Sequence, residues 1–483
     1  MSHQGTDGLT CSTPHHQDLK RSLDWLLASA RLSHLTFRGD CSWTPKGLIF
    51  VAILWAWSDE KSLTKRFSHA RKVVIAMDIL ARIPAATYQA FLKMLTTWTV
   101  VLATALFDAL RRRMQSDLAA RFEVCGYQVF GVDGSRLELP RTESNEERFS
   151  PATTRRPSRS KKAKSRRRAR SQASRDRRAR QKKANSPQMW LTTMFHVGTG
   201  LPWDWRTGPS DSSERDHLRQ MIEALPAGAL ITADAGFVGY QTWKAILDSG
   251  RHLLIRVGAN VRLLRKLGYV EEKKGLVYLW PDREAKRNQP PLVLRMVVAR
   301  GKRHPVYLVT SVLDEATLSD SQVVEIYALR WGIELFYRHF KQTFERRKLR
   351  SHCAANAELE ATWSLLGLWA MMLHAQVILK EKEVPPKRIS IAGVLLGYRS
   401  ALREYKSPPD PGESLDELVA KAVIDPYSRV DKSSRDYPRK KQEHGLLPAF
   451  WSTPNGSFLN GCQCVQLLIW IDPPRNASHH IPH

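Results

Sequence analysis

Apolar residues recur every three or four positions from residue 18 to about 122, where Leu, Ala, Trp and Arg dominate and strand formers do not come in series. That spacing predicts helices. The pattern changes at YQVFGVDGSRLELP, which alternates apolar and polar side chains, and WLTTMFHVGTG and LPWDWRTG follow. Alternation at period two predicts three successive strands. In the third, Leu201, Trp203 and Trp205 share one face and Asp204 and Arg206 the other, as a half-buried strand with core tryptophans requires.

Ser213 to Asp216 matches a capping box before a helical run through Leu225, and ALITADAGF reads as a buried strand ending at Asp234. A helix from about Tyr240 to Leu247 and the strand HLLIRV come next. Between 260 and 312 the pieces VRLL, GLVYLW, LVLRMVVA and PVYLVTSV are separated by charged or Pro-rich turns, a β-rich insertion. A long helix is expected from Ser321 to about Arg350, with further helices from Ala354 to Lys382 and Ile389 to Tyr405.

The order is β-β-β-α-β-α-β, insertion, α. It predicts an α/β fold of the ribonuclease H-like kind: a mixed five-stranded sheet flanked by helices, with the β-rich insertion before the last catalytic helix and an N-terminal all-helical domain. The expected division is 1–122 for the helical, DNA-end-binding domain, 123–258 and 313–405 for the catalytic domain, 259–312 for the insertion, and 406–483 for a basic tail.

Charge narrows the partner. The 483 residues carry 75 Lys and Arg against 47 acids, a net +28, while 42% of residues stay hydrophobic, which fits a globular protein with a polyanionic partner. Residues 155–183 hold sixteen Lys or Arg opposed only by Asp176, so +15 sits there and +13 remains for the rest. Such a block is expected to be disordered when free and to be neutralised by a phosphate backbone, supplying affinity and little sequence information. The apolar stretches Leu48 to Trp57 and Leu365 to Leu379 fall short of the ~20 residues that span a bilayer, so no membrane segment is expected. The first residues show no secretory signal, and the six cysteines lack metal-ligand spacing, so reduced thiols without structural zinc are expected.

Asp133 in GVDGS and Asp234 in ITADAGF sit at expected strand ends, where such sheets place reacting groups. Asp-Gly is also the common hairpin turn, and an Asp before Gly-Phe also caps loops. The long helix adds a third acid: Tyr327, Arg330, Glu334 and Lys341 fall in a stripe ~60° wide and ~21 Å long. Ile326, Leu329, Ile333, Phe336, Phe340 and Phe344 form a separate apolar face to bury against the sheet.

The spacing Tyr327-x2-Arg330-x3-Glu334-x6-Lys341, with VDGSRLELP and DAGFVGY, resembles the DDE transposases of bacterial insertion sequences, in the branch with the Tyr-Arg-Glu-Lys signature, over roughly Leu48 to Tyr405. The resemblance implies that Asp133, Asp234 and Glu334 bind two Mg²⁺ or Mn²⁺ ions, which activate a water or 3′-hydroxyl and stabilise the leaving oxygen. It implies that Tyr327, Arg330 and Lys341 grip the DNA backbone. It also implies double-stranded DNA partners (terminal inverted repeats and target), a homodimer in the paired-end complex, and a cytoplasmic, nucleoid-associated location. In this branch an aromatic residue of the insertion holds a flipped base; Trp280 is a candidate, against the plainer reading of a core residue at a strand end. The alternatives are a ribonuclease H-like nuclease without strand transfer and an inactive DNA-binding descendant.

Overall fold

The computed structural model describes residues 14–38, 41–77, 86–151, 187–257, 268–300, 305–403 and 413–424. The Arg-rich block 155–183, the VRLL piece and most of the tail lie outside the described residues.

The described residues open with four helices: α1 (Pro14–Leu27), α2 (Pro45–Trp57), α3 (Leu63–Ala76) and α4 (Tyr88–Asp117). Thr44 caps α2 by accepting from Gly47 N–H, and Pro45 occupies the first turn, where its missing N–H costs nothing. Every residue of α2 from Gly47 to Trp57 is buried, so this helix is a central element of the core.

The strands are β1 (Val129–Glu138), β2 (Gln188–His196), β3 (Leu201–Gly208), β4 (Leu230–Ala233), β5 (His252–Arg256), β6 (Tyr269–Lys273), β7 (Leu276–Trp280), β8 (Leu292–Arg300) and β9 (Pro305–Thr310). Helix α5 (Glu143–Phe149) follows β1, α6 (Glu214–Met221) joins β3 to β4, and α7 (Tyr240–Asp248) joins β4 to β5. Among the described residues the nine strands form one mixed sheet in the order β3-β2-β1-β4-β5-β9-β8-β7-β6. The β1–β4 and β4–β5 pairs are parallel and the others antiparallel. The pieces expected as an insertion therefore extend the sheet from β5, beyond five strands, because β9 returns antiparallel to β5 with Ile255 opposite Val309.

Two expectations about faces change. Asp204 of β3 is buried at 4% exposure, because Arg111 of α4 covers that side; its guanidinium also donates to Trp203 O. Alternation marks one face as polar, but a polar residue is buried readily when an ion pair meets it. The segment from 321 to 350 is also not one helix. It comprises α8 (Asp320–Leu329), α9 (Gly332–Arg338) and a π-helical stretch, His339–Thr343. Gly332 sits where a Cβ would be 3.1 Å from the Phe195 ring, so the lack of a side chain lets the segment lie close to the sheet.

The later helices are α10 (Ala354–Lys380), α11 (Ile391–Arg403) and α12 (Leu415–Ala420). The tail expectation is amended by α12, whose Leu415 and Val419 are buried. α10 binds the opening helices to the sheet: Trp57 Nε1 donates to Gly367 O at 2.8 Å, and one hydrophobic core runs through α2, α4, α10 and the sheet. Contrary to expectation, α4 and α10 are each long and apolar enough to cross a membrane by length and composition. Alanines, threonines and tryptophans fill these helices without long uninterrupted apolar runs. For α10, 78% of the apolar window is buried inside the protein.

Candidate active site at the carboxyl ends of β1 and β4

Val132 pairs with Ala233, so the next residues, Asp133 and Asp234, leave two adjacent parallel strands at the same level, ~5 Å apart across the ladder. Asp133 is not at the end of β1, as expected from sequence, but in its middle. The strand continues to Glu138 against β2, while the pairing with β4 stops at Val132. Asp-Gly is therefore not a hairpin turn here. Asp133 Oδ1 accepts from Gly134 N–H at 2.9 Å. Asp234 Oδ1 accepts from Gly236 N–H at 2.8 Å and caps a short turn, Ala235–Phe237. Asp234 thus caps a loop, the plainer of the two readings its sequence allowed.

The third acid arrives from the bent segment, which runs along β1. Arg330 Cγ lies 3.7 Å from where a Gly131 Cβ would be, Tyr337 Oη donates to Asp133 O at 2.8 Å, and Lys341 Nζ donates to Ser135 Oγ at 2.6 Å. Farther on, Glu138 N–H donates to Arg347 O at 2.8 Å. Glu334 lies on this track between Arg330 and Tyr337, and Arg330 Nη2 donates to its Oε1 at 3.3 Å.

Arg330 is the hub. It is only 8% exposed, which corrects the expectation of an open polar stripe. Burial opposes its charge, but Tyr327, Asp133, Glu334 and Asp234 together raise its pKa above the ordinary value. One guanidinium thus feels acids from three separate elements. Its Nε is buried with no hydrogen-bond partner. Tyr327 stacks under it, 5.4 Å from ring centre to guanidinium carbon, and burial pushes the Tyr327 phenol upward against the influence of Arg330 and Arg256. On the apolar side, Ile326, Ile333, Phe336, Phe340 and Phe344 are buried as expected, but Leu329 is 39% exposed because α8 ends there.

Asp133, Asp234 and Glu334 are oxygen donors suited to hard divalent cations. Among the described residues, however, no group of three Asp, Glu, His or Cys side chains is arranged to hold a metal. Asp133 accepts from Gly134 N–H within β1, Asp234 from Gly236 N–H in the turn after β4, and Glu334 from Arg330.

Sequence reading missed three contributors. Tyr337, three residues after Glu334, is buried, and burial followed by the Asp133 charge raises its phenol well above the ordinary value. Helical spacing from Glu334 could have flagged it. Arg256, at the end of β5, acts on Tyr327 and looked in sequence like any strand-end cation. Glu214 was absorbed into a helix start. Trp280 is a core residue: 6% exposed, with Nε1 donating to Gln289 O at 3.0 Å. Beyond Lys341 an open groove of about 630 Å³ is lined by Arg347, Lys348, Arg350 and His352 among others.

The family described as the transposase DDE domain matches residues 125–370, which include all six expected site residues. The transposase InsG for insertion sequence element IS4 of Escherichia coli (strain K12) is 24% identical over 267 residues, 53% of this chain and 54% of that protein. The match therefore spans about half the length of that relative. Among solved structures, a piggyBac transposase synaptic complex with hairpin DNA aligns over 89% of this chain and 90% of its own, at 10% identity and a TM-score of 0.37.

Proposed function

Because this chain belongs to the transposase DDE domain family, we propose that it is the transposase of a bacterial insertion sequence, cutting DNA at terminal inverted repeats and joining the ends to a target. The observation that carries this reading is the convergence of Asp133, Asp234 and Glu334, from three distant parts of the chain, around Arg330. In the same reading the core is ribonuclease H-like, its first five strands running 3-2-1-4-5, and the chain falls in the Tyr-Arg-Glu-Lys branch.

Asp133, Asp234 and Glu334 would hold two divalent cations, Mg²⁺ or Mn²⁺, whose charge activates the attacking oxygen and steadies the leaving one. The chain's own contribution is placement. Tyr337 ties Glu334's helix to the Asp133 backbone, and the buried sheet fixes the two aspartates side by side. Arg330 offers a planar fork to a phosphate, with its Nε still to be satisfied, and Lys341 offers a point charge at the mouth of the basic groove. Tyr327, beneath Arg330, completes the backbone grip. The opening helices bind the transposon end, the Arg-rich block 155–183 adds electrostatic affinity, two copies pair the ends, and the protein works in the bacterial cytoplasm on nucleoid DNA.

The test is cleavage and strand transfer by purified protein with Mg²⁺ on DNA carrying the inverted repeats that flank its reading frame. Asp133→Asn, Asp234→Asn and Glu334→Gln should each lower the rate about 10³-fold, about 4 kcal/mol of barrier. Unchanged activity in Asp133→Ala would overturn the assignment. Cleaved ends that never join would favour a nuclease without strand transfer.

A further inference from the structure

Val132, Ala233 and Ile255 form one row across the parallel strands β1, β4 and β5. The residues that follow them are Asp133, Asp234 and Arg256, and residues level with one another on neighbouring strands share a face of the sheet. That face is the one the bent segment covers. Earlier along the same strands, Val129, Leu230 and Leu254 form an apolar cluster with Ile326 of α8, and Tyr327 packs against it. The row above this cluster therefore carries two acids and, at β5, a guanidinium.

Arg256 is half-buried, yet its Nε is buried and has no hydrogen-bond partner among the described residues, as is true of Arg330 Nε. Asp234 stands in the same row, but its Oδ1 accepts from Gly236 N–H. The charges of Arg256 and Arg330 both act on one phenol, that of Tyr327, so the two guanidiniums gather about a single ring. A buried N–H without an acceptor costs free energy, and two of them beside one hydroxyl make a place where donors outnumber acceptors. A phosphodiester supplies what is missing: negative charge and several acceptor oxygens set to meet a guanidinium fork.

We propose that Arg256 is a DNA-binding residue of the site and, with Arg330 and Tyr327, seats a backbone phosphate on the β5 side of the acids. Neighbouring strands are ~4.8 Å apart, so Arg256 stands ~10 Å across the sheet from Asp133. At ~3.4 Å of duplex per nucleotide, that phosphate lies within about three nucleotides of the one being cut. The acids then stand between two cationic ends, Lys341 over Ser135 and Arg256 beyond Asp234.

The proposal rests on the transposase reading above, and its test separates the two. Binding of full-length protein to DNA carrying the flanking inverted repeats is measured in Ca²⁺, with single phosphates replaced in turn by neutral methylphosphonates within about three nucleotides of the cleavage position. Arg256→Gln should weaken binding to ordinary DNA about tenfold, and Arg256→Lys should recover part of the loss, keeping the charge without the fork. One methylphosphonate should weaken the wild type about tenfold and Arg256→Gln no further, since the contact it removes is already gone. Urea denaturation of Arg256→Gln should match the wild type, because no protein acceptor loses a partner.

Methylphosphonate losses that are the same in Arg256→Gln as in the wild type at every position would overturn the Arg256 assignment; with wild-type cleavage and joining intact, the transposase reading would stand. A lowered urea midpoint together with such unchanged losses would make Arg256 a structural residue and overturn the proposal. Wild-type protein that neither cuts nor joins this DNA and responds to no methylphosphonate would overturn both.

Discussion

Tyr337→Phe removes one oxygen and nothing else. The hydroxyl links the facing residues of β1 and β2: it donates to Asp133 O at 2.8 Å, with Leu191 O at 3.1 Å, and accepts from Thr193 N–H at 3.1 Å. Phenylalanine keeps the ring, 5.6 Å from Phe336, but leaves the fully buried Thr193 N–H without its partner. An orphaned buried donor costs about 1–3 kcal/mol. The same bond sets the distance from Glu334's helix to Asp133, and a shift of ~1 Å at reacting groups costs ~10²-fold in rate. Urea denaturation should show the loss of stability, and single-turnover cleavage at saturating DNA should show a 10- to 100-fold fall, of order that same estimate. DNA affinity in Ca²⁺ should be unchanged, since the hydroxyl faces the strands. A Tyr337→Phe protein with wild-type denaturation and wild-type cleavage would refute the claim that this hydroxyl holds the site together.

Other predictions follow from buried groups and the basic surface. His196 is neutral in the fold, with Nε2 donating to Phe122 O and Nδ1 accepting from Thr199 N–H, and burial lowers its pKa to about 4; His374 is lowered to about 4 as well. The unfolded chain takes up these protons first, so stability is full above pH 6.5 and falls toward pH 4 by about 3 kcal/mol per histidine; denaturation against pH should have a shallower slope in His196→Gln. Arg346, fully buried with its pKa lowered by burial to about 9, donates to Ser364 Oγ, Phe344 O and Ala56 O. Arg346→Met strands two carbonyls and should cost roughly 2–4 kcal/mol in urea denaturation, and a wild-type midpoint would refute that network's role. Lys341→Ala should weaken binding to all DNA sequences alike and reduce the slope of log affinity against log salt by about 1.

How far the sequence reached can be read from particular residues. Periodicity alone located the opening helices, the first five strands, and α10 and α11, because burial on one face writes itself into spacing at 3.6 or 2 residues. It also singled out Asp133, Asp234 and Glu334, since local motifs carry turn chemistry and helical offsets. It placed the Leu329 side chain on a buried face because it assumed an unbroken helix, and nothing local announces the break between α8 and α9 or a π turn at His339–Thr343. Those irregularities arise from docking, from the Phe195 ring against Gly332 and the Tyr337 hydroxyl between two strands.

What the chain determined unaided is most of the elements and the candidate acids, because these depend on neighbours a few residues away. Only the tertiary structure decided that β9 would return beside β5, that Arg330 would be buried among three carboxylates, and that Glu214 would lie against Gly134 and Gly236. Contacts between residues roughly 20 to 200 positions apart depend on how whole layers pack, and no pattern read along one segment contains that information.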